Sequence, residues 1–299
     1  MRYIELKVKQ ALNKVSSQRL PFYWDLNIYR WCSHWCKYCF AIYSHWYLDN
    51  NNFFWSIYYK NPDELIASIE KQISSPKWKW QSINIWWVTD SYQLIEWKFG
   101  TMRRILKLMI KYKNPINIST KSAIIVRDID LIDELSRVVN VNIAFTITTT
   151  DEKLREELEP WASTTIGRIN ALKALKKTNA SLWIHLMPII PYLTDTYENI
   201  ESILKVAYDL KIQYILPWIL HLRWKHRYVF FDFIKNYDKE IYKKIYNLFS
   251  NKELKQEYKM NFYKMYWEIK KKYNVNSNYK KYTDKRIEED SKQLALNFK

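Results

Sequence analysis

Apolar residues recur along this chain with two different periods. Runs with strand character, rich in β-branched and aromatic residues, fall at 25–29, 82–88, 115–119, 141–147, 182–190 and 213–220. Between them the spacing lengthens to that of a helix. Met102, Ile105, Leu106 and Met109 form one stripe at i, i+3, i+4 and i+7, and Ile200, Ile203, Leu204 and Ala207 form another. Further helices are expected at 62–73, 128–138 and 166–177. Strands that alternate with helices specify βαβ units and an α/β fold with a parallel sheet. Six such units with right-handed crossovers curl toward a partial (β/α)6 barrel of the TIM type, whose working end is the C-terminal edge of the strands. An open doubly wound sheet is the competing architecture, but its Gly-rich phosphate loop after the first strand is missing. From about Arg227 the pattern changes to amphipathic helix rich in Lys, Tyr and Asn. The expected organisation is an N-terminal extension over 1–23, a core over 24–225, and a basic helical extension over 226–299 that ends in a charged tail.

With 299 residues, of which 48% are hydrophobic, the chain is long enough to bury a sizeable core. Its first twenty residues lack the apolar centre of a signal peptide, and nothing later approaches the ~20 uninterrupted apolar residues of a membrane span. A cytoplasmic location with no membrane partner is expected, and there clustered thiols bind metal more often than they pair. The net charge of +17 points to a polyanionic partner such as DNA or RNA. An A/T-rich genome, which favours Lys, Ile, Asn and Tyr codons, accounts for the same excess, so charge alone leaves both readings open.

Glycine usage changes the picture more. Average usage would give about 20 glycines in a chain this long, yet there are 2 beside 15 tryptophans. Turns need residues that tolerate positive φ, and Trp is a poor one. The expectation is that many of these tryptophans are UGA codons, written as Trp on conceptual translation and decoded as glycine. Trp86-Trp87, closing a strand-like run, and Trp183, inside another, stand where glycine fits.

All three cysteines lie in one stretch, Trp31-Cys32-Ser33-His34-Trp35-Cys36-Lys37-Tyr38-Cys39, with the spacing C-x3-C-x2-C. Ser, His, Lys and Tyr between them make the loop too polar for a core segment of idle thiols. A zinc site needs four ligands, with His34 or His45 as the fourth. The stronger reading is an iron–sulfur cubane, held by three thiolates with one iron left open.

This motif, with aromatic Tyr38 before the last cysteine and the loop following the first strand of a βα series, resembles the radical S-adenosylmethionine (SAM) superfamily. The segments LNIYRWCSHWCKYCFAIYSH, SSPKWKW, VTDSYQLIE, TKSAIIVRDIDLI, LEPWA and MPIIPYLTD are similar to the branch containing spore photoproduct lyase and the proteins called DNA repair photolyases. The resemblance runs from about Leu20 to about Arg223. Glycine stands in that family where this chain has Trp31, Trp35, Trp80, Trp86, Trp161 and Trp183.

The resemblance implies a radical SAM barrel in which Cys32, Cys36 and Cys39 bind a [4Fe-4S] cluster and SAM chelates the open iron. One electron, from a flavodoxin- or ferredoxin-type reductant, would cleave SAM to methionine and a 5′-deoxyadenosyl radical that abstracts hydrogen from substrate. Tyr38 belongs to the cofactor pocket on the same ground. Thr89 and Asp90 would accept from the SAM ammonium, and Lys121, beside Thr120 and Ser122, would pair with its carboxylate. Thr146 and Thr148 would hold the ribose, and Ile189 would lie beside adenine. Ordinary roles compete: Thr and Ser cap helices, and a strand-end Asp often begins a turn. The implied activity is lyase-like DNA repair, although the extra cysteine that spore photoproduct lyase uses to return hydrogen has no counterpart here. A peptide or small metabolite is the alternative substrate, and a zinc-holding nucleic-acid-binding module the alternative to an enzyme. Near the chain's end, Gln293-Leu294-Ala295-Leu296-Asn297-Phe298 is similar to the short motif that attaches polymerases and repair proteins to the replication sliding clamp. Docking of that tail on its own domain is the competing reading.

Overall fold

The computed structural model describes residues 2–15, 22–42, 56–85 and 88–276, and in it strands and helices alternate as the two periods require. The chain opens with five short strands, β1 (Arg2–Leu6), β2 (Leu12–Lys14), β3 (Trp24–Leu26), β4 (Tyr29–Arg30) and β5 (Ser56–Lys60). There follow α1 (Pro62–Ile73), β6 (Ile83–Ile85), α2 (Glu96–Phe99), α3 (Thr101–Tyr112), β7 (Ile116–Thr120), α4 (Ile129–Val138) and β8 (Val141–Thr146). The second half holds α5 (Glu152–Leu158), α6 (Thr165–Leu175), β9 (Ser181–Ile189), α7 (Tyr197–Asp209) and β10 (Tyr214–Ile219). Three helices close the described chain: α8 (Trp224–Tyr237), α9 (Lys239–Ser250) and α10 (Lys252–Lys270).

The main sheet has the order β10-β9-β8-β7-β6-β3-β2. Every pair from β3 to β10 is parallel, and β2 joins β3 antiparallel at the edge. Neighbours in space follow the chain order, so six parallel strands with helical crossovers form the incomplete barrel that the alternation implies. Ile83, Ile116 and Val141 share one row of this register, and Ile85, Ile118, Ile143 and Leu182 another, all buried. A smaller sheet, β1-β5-β4, lies apart. Neither its strands at 2–6 and 56–60 nor the main sheet's edge strand at 12–14 was legible in the sequence, and the expected run 25–29 breaks into β3 and β4.

Local signals place the helices. Asn61 caps α1 by accepting from the N–H groups of Asp63 and Glu64, Pro62 holds the first position, and Leu65, Ile69 and Ile73 turn inward. The expected helix at 128–138 is preceded by a 3-10 turn, Ala123–Asp128, which Ser122 caps. The basic C-terminal helices are not detached from the barrel. Phe262, Tyr266 and Ile269 of α10 enter the main core, while Phe230 and Ile234 of α8 and Ile245 and Leu248 of α9 pack with Cys36 and Tyr38. Among the described residues no helix is long and apolar enough to cross a membrane.

Among the described residues, three tryptophans occupy left-handed backbone: Trp31 at φ 70°, Trp35 at 55° and Trp80 at 51°. All three are positions where glycine was expected. Trp183 lies in extended β9 and Trp161 is exposed; neither needs glycine for its backbone, and Trp86 and Trp87 lie outside the described residues. A Cβ in the left-handed region costs roughly 1–2 kcal/mol. Trp31 is buried, so its removal also opens a cavity, whereas Trp35 is only half-buried. Comparing glycine with alanine at one position removes the side-chain contribution. Trp35→Gly should therefore be more stable than Trp35→Ala by about 1 kcal/mol in urea unfolding. At Trp97, inside α2, the order should reverse by about the same amount. Equal stability of the two variants at position 35 would show that the turn has no need of glycine.

Candidate active site

The cysteine loop leaves β4 and is tied down on both flanks. On one side, the Gln93 amide donates to the Trp31 carbonyl and to Thr89 Oγ1, each at 3.0 Å, and its oxygen accepts from Ser33 N–H at 2.9 Å. Thr89 Oγ1 also donates to the Trp31 carbonyl, at 2.9 Å. On the other side, Lys37 N–H donates to the Leu158 carbonyl at 2.9 Å, and Trp161 N–H to the His34 carbonyl at 3.3 Å. The LEPWA segment after α5 is thus one clamp and the stretch after β6 the other. Held this way, Cys32, Cys36 and Cys39 line one wall of a cavity of about 470 Å3 at the C-terminal edge of the sheet.

Burial pushes all three thiols above their ordinary range, Cys36 to about 12, and Lys121 opposes the shift at Cys36 and Cys39. Loading a metal must therefore displace thiol protons. Among the described residues no three His, Cys, Asp or Glu side chains close on the geometry of a single metal ion. Thiols spread along a cavity wall suit a cluster, in which each thiolate takes a different iron. His34 is buried, with Nδ1 3.5 Å from Asp90 Oδ2, and burial lowers its pKa to about 4. His45 lies outside the described residues.

Asp90 organises the strand ends. It accepts from Thr120 Oγ1 at 2.7 Å, Lys121 N–H at 2.6 Å and Tyr92 N–H at 2.9 Å. Glu159 does the same for the loop: it accepts from the Tyr38 hydroxyl, from Arg168 and, at 3.3 Å, from Thr148. Arg168 also donates to the carbonyls of Ser163 and Thr146, each at 2.9 Å. Burial alone would raise the Glu159 pKa, but Arg168 and Lys121 outweigh it and hold it low. Burial would likewise lower that of Lys121, whose pKa the neighbouring anions raise instead: Cys36 once ionised, then Glu159 and Asp90. The Lys121 ammonium sits 5.9 Å from the Tyr38 ring centre.

Besides the cysteines, the cavity wall includes Tyr38, Thr89, Asp90, Thr120, Lys121 and Thr146 of the residues expected for cofactor binding. Ser122 caps the 3-10 turn, Thr148 faces Glu159, and Ile189 is buried in the main core, its carbonyl accepting from Leu220 N–H at 2.9 Å. The structure adds residues that sequence reasoning did not single out. Ser119 Oγ and His185 Nδ1 meet at 3.1 Å across the barrel, and burial lowers the His185 pKa to about 3. A lone histidine in the apolar run of β9 was the available signal. Glu159 carried only the LEPWA resemblance, with no role attached, and Arg168 and the lining residues His221, Arg223 and His226 carried none.

The family model described as Radical SAM superfamily matches residues 26–207, more than half of the chain. An uncharacterized Mycobacterium tuberculosis protein, Rv2578c, is 30% identical over 223 residues, covering 73% of this chain and 65% of its own length. An uncharacterized Methanocaldococcus jannaschii protein, MJ0683, is 30% identical over 193 residues, covering 64% of this chain and 69% of its own. Among solved structures, spore photoproduct lyase with bound AdoMet and dinucleoside spore photoproduct superposes with a TM-score of 0.59 at 14% identity, over 77% of this chain and 66% of that one. The chain thus spans slightly less than two thirds of the Mycobacterium relative and of the lyase, and at this identity the latter likeness is one of fold.

Glu159 and Arg168 are both fully buried and form an ion pair. Removing one partner leaves Arg168 and Lys121 as uncompensated charge behind the loop. Glu159→Ala should lower the unfolding free energy by about 3–5 kcal/mol, whereas Glu159→Leu combined with Arg168→Met should lose much less. Chemical denaturation of the metal-free protein measures both. A double variant as unstable as the single one would show that the pair's charge balance is not what matters.

Proposed function

Because this chain belongs to the radical SAM superfamily, whose cofactors are a [4Fe-4S] cluster and SAM, we propose that it is a radical enzyme acting on nucleic acid. The observation that carries the reading is the set of three thiols along one cavity wall, facing strand ends that bear Asp90, Thr120 and Lys121. Cys32, Cys36 and Cys39 would ligate the cluster, which supplies the electron that cleaves SAM. Lys121 would pair with the SAM carboxylate, and Asp90, with Thr89, would place negative charge and acceptors beside its ammonium. Thr146 would face the ribose. The two clamps on the loop would keep its backbone fixed, with Cys36 buried and Cys32 and Cys39 partly so.

Three features support nucleic acid as substrate: the net charge of +17, the segments similar to the lesion-repair branch, and the shared fold with a lyase seen bound to a dinucleoside photoproduct. No cysteine lies outside the loop, so hydrogen return by a further thiol is not part of this reading. A flavodoxin- or ferredoxin-type protein is the proposed electron donor. Anaerobic reconstitution should give a brown protein with about four irons that releases 5′-deoxyadenosine from SAM under a strong reductant. Changing any one of the three cysteines to alanine should abolish both. An intact cluster that releases no 5′-deoxyadenosine would end the proposal.

The tail motif at 293–298 lies outside the described residues. As a proposal it rests on sequence alone: Gln293 would lie in a polar cleft of a sliding clamp while Leu296 and Phe298 fill an apolar pocket. A peptide spanning 289–299 should bind the cognate clamp, and Leu296→Ala with Phe298→Ala should abolish binding. Equal binding by the two peptides, or none by either, would leave the tail without this partner.

A further inference from the structure

The mouth of the cavity differs from its floor. There the end of β10 and the start of α8 contribute His221, Arg223 and His226 to the wall. Next to them stand Arg227 of α8 and, one helical turn apart on α10, Lys255 and Lys259. None of the four Arg and Lys side chains forms an ion pair among the described residues. Two are held over aromatic faces, which fix a cation without neutralising it. The Arg227 guanidinium lies 5.1 Å from the centre of the Phe231 ring, and the Lys255 ammonium 4.4 Å from that of Phe249.

The groups also act on one another. Burial lowers the Lys255 pKa, and the charges that add to the shift are Lys259, Arg227 and Arg223. His221 is lowered in the same way, by burial and then by Arg223, Lys255, His226 and Lys259. The charges that add to burial in both cases are all basic, with no carboxylate among them to offset positive potential at the rim. A second observation points to a missing partner. His226 is 3% exposed, and its Nε2 is engaged by Arg223 N–H at 3.0 Å and lies 2.9 Å from the His221 carbonyl oxygen. Its Nδ1 is buried with no hydrogen-bond partner among the described residues.

We propose that this rim is a phosphate-binding subsite, taking backbone phosphates of a nucleic-acid strand that lies across the cavity mouth; it rests on the nucleic-acid reading above. Arg223 and His226 contact the phosphate nearest the cavity, and Arg227, Lys255 and Lys259 follow the backbone outward. Phosphate oxygens accept from guanidinium and ammonium groups and release their counterions, which makes binding steeply salt-dependent. None of the tryptophans is needed for this site.

The test is fluorescence anisotropy of labelled oligothymidine and oligouridine against the full chain over a salt series. Arg227→Gln with Lys255→Gln should weaken binding at least tenfold and flatten the log–log salt slope by about 1.4, for two phosphates at ~0.7 each on a single strand. Lys259→Gln alone, at an exposed position, should flatten it by about 0.7. Lys173→Gln with Lys177→Gln removes the same charge at the C-terminal end of α6, the end of the barrel away from the cavity, and should leave the slope unchanged. Circular dichroism checks that each variant is folded. Tighter binding of one oligonucleotide identifies the strand as DNA or RNA. If the native sequence binds but all variants share its slope, or the control pair flattens it as much as the rim pair, the rim is not the site and the nucleic-acid reading survives. If the native sequence binds neither oligonucleotide, both fall together.

Discussion

The cysteine loop must turn through left-handed backbone at both Trp31 and Trp35 while keeping three thiols on one wall, and most of the molecule is arranged around that constraint. A loop bent in this way points carbonyls outward, where the ladder of a helix or sheet cannot satisfy them. Gln93 and Thr89 take the carbonyl of Trp31, and Trp161 N–H takes that of His34. All three partners come from segments at the C-terminal edge of the sheet, which is why distant stretches of sequence converge there. The loop is built by its neighbours as much as by its own residues.

Charge follows the same logic. Burial keeps the thiols neutral in the metal-free chain, so Lys121 and Arg168 are balanced by Asp90 and Glu159 rather than by thiolates. Deprotonating thiols to load a cluster adds negative charge next to Lys121, whose opposing influence already reaches Cys36 and Cys39. Folding and loading are thus compatible: the polar network is satisfied before the cofactor arrives and grows more favourable for the thiolate form afterwards.

What the sequence made legible was what depends on short-range order. α1 begins and ends where its cap and its apolar stripe say, because Asn61, Pro62 and the Leu65–Ile69–Ile73 spacing act within one element. The last four strands of the barrel were found within a residue or two, since buried parallel strands read as continuous apolar runs, while the expected runs at 25–29 and 82–88 overran the shorter β3 and β6. β1, β2 and β5 were not, because they are defined by pairing with partners far along the chain and carry mixed burial. The same limit hid the Tyr38–Glu159–Arg168 network and the Ser119–His185 contact, whose members lie 121, 9 and 66 positions apart. The cysteine motif was legible because it is local, and the three tryptophans with positive φ because a shortage of glycine is visible in composition alone.

The helices after β10 bear on specificity. A radical SAM barrel supplies the same cluster and cofactor geometry whatever the substrate, so selection must come from what closes the mouth. In this chain α8 and α9 pack their apolar faces against Cys36 and Tyr38, on the loop itself, while α10 anchors in the main core. Any group that engages the rim of α8 and α10 therefore bears directly on the element carrying the thiols. On the nucleic-acid reading proposed above, the helices whose pattern breaks from the barrel's would be the part of the molecule that chooses the substrate, through their basic, aromatic surface.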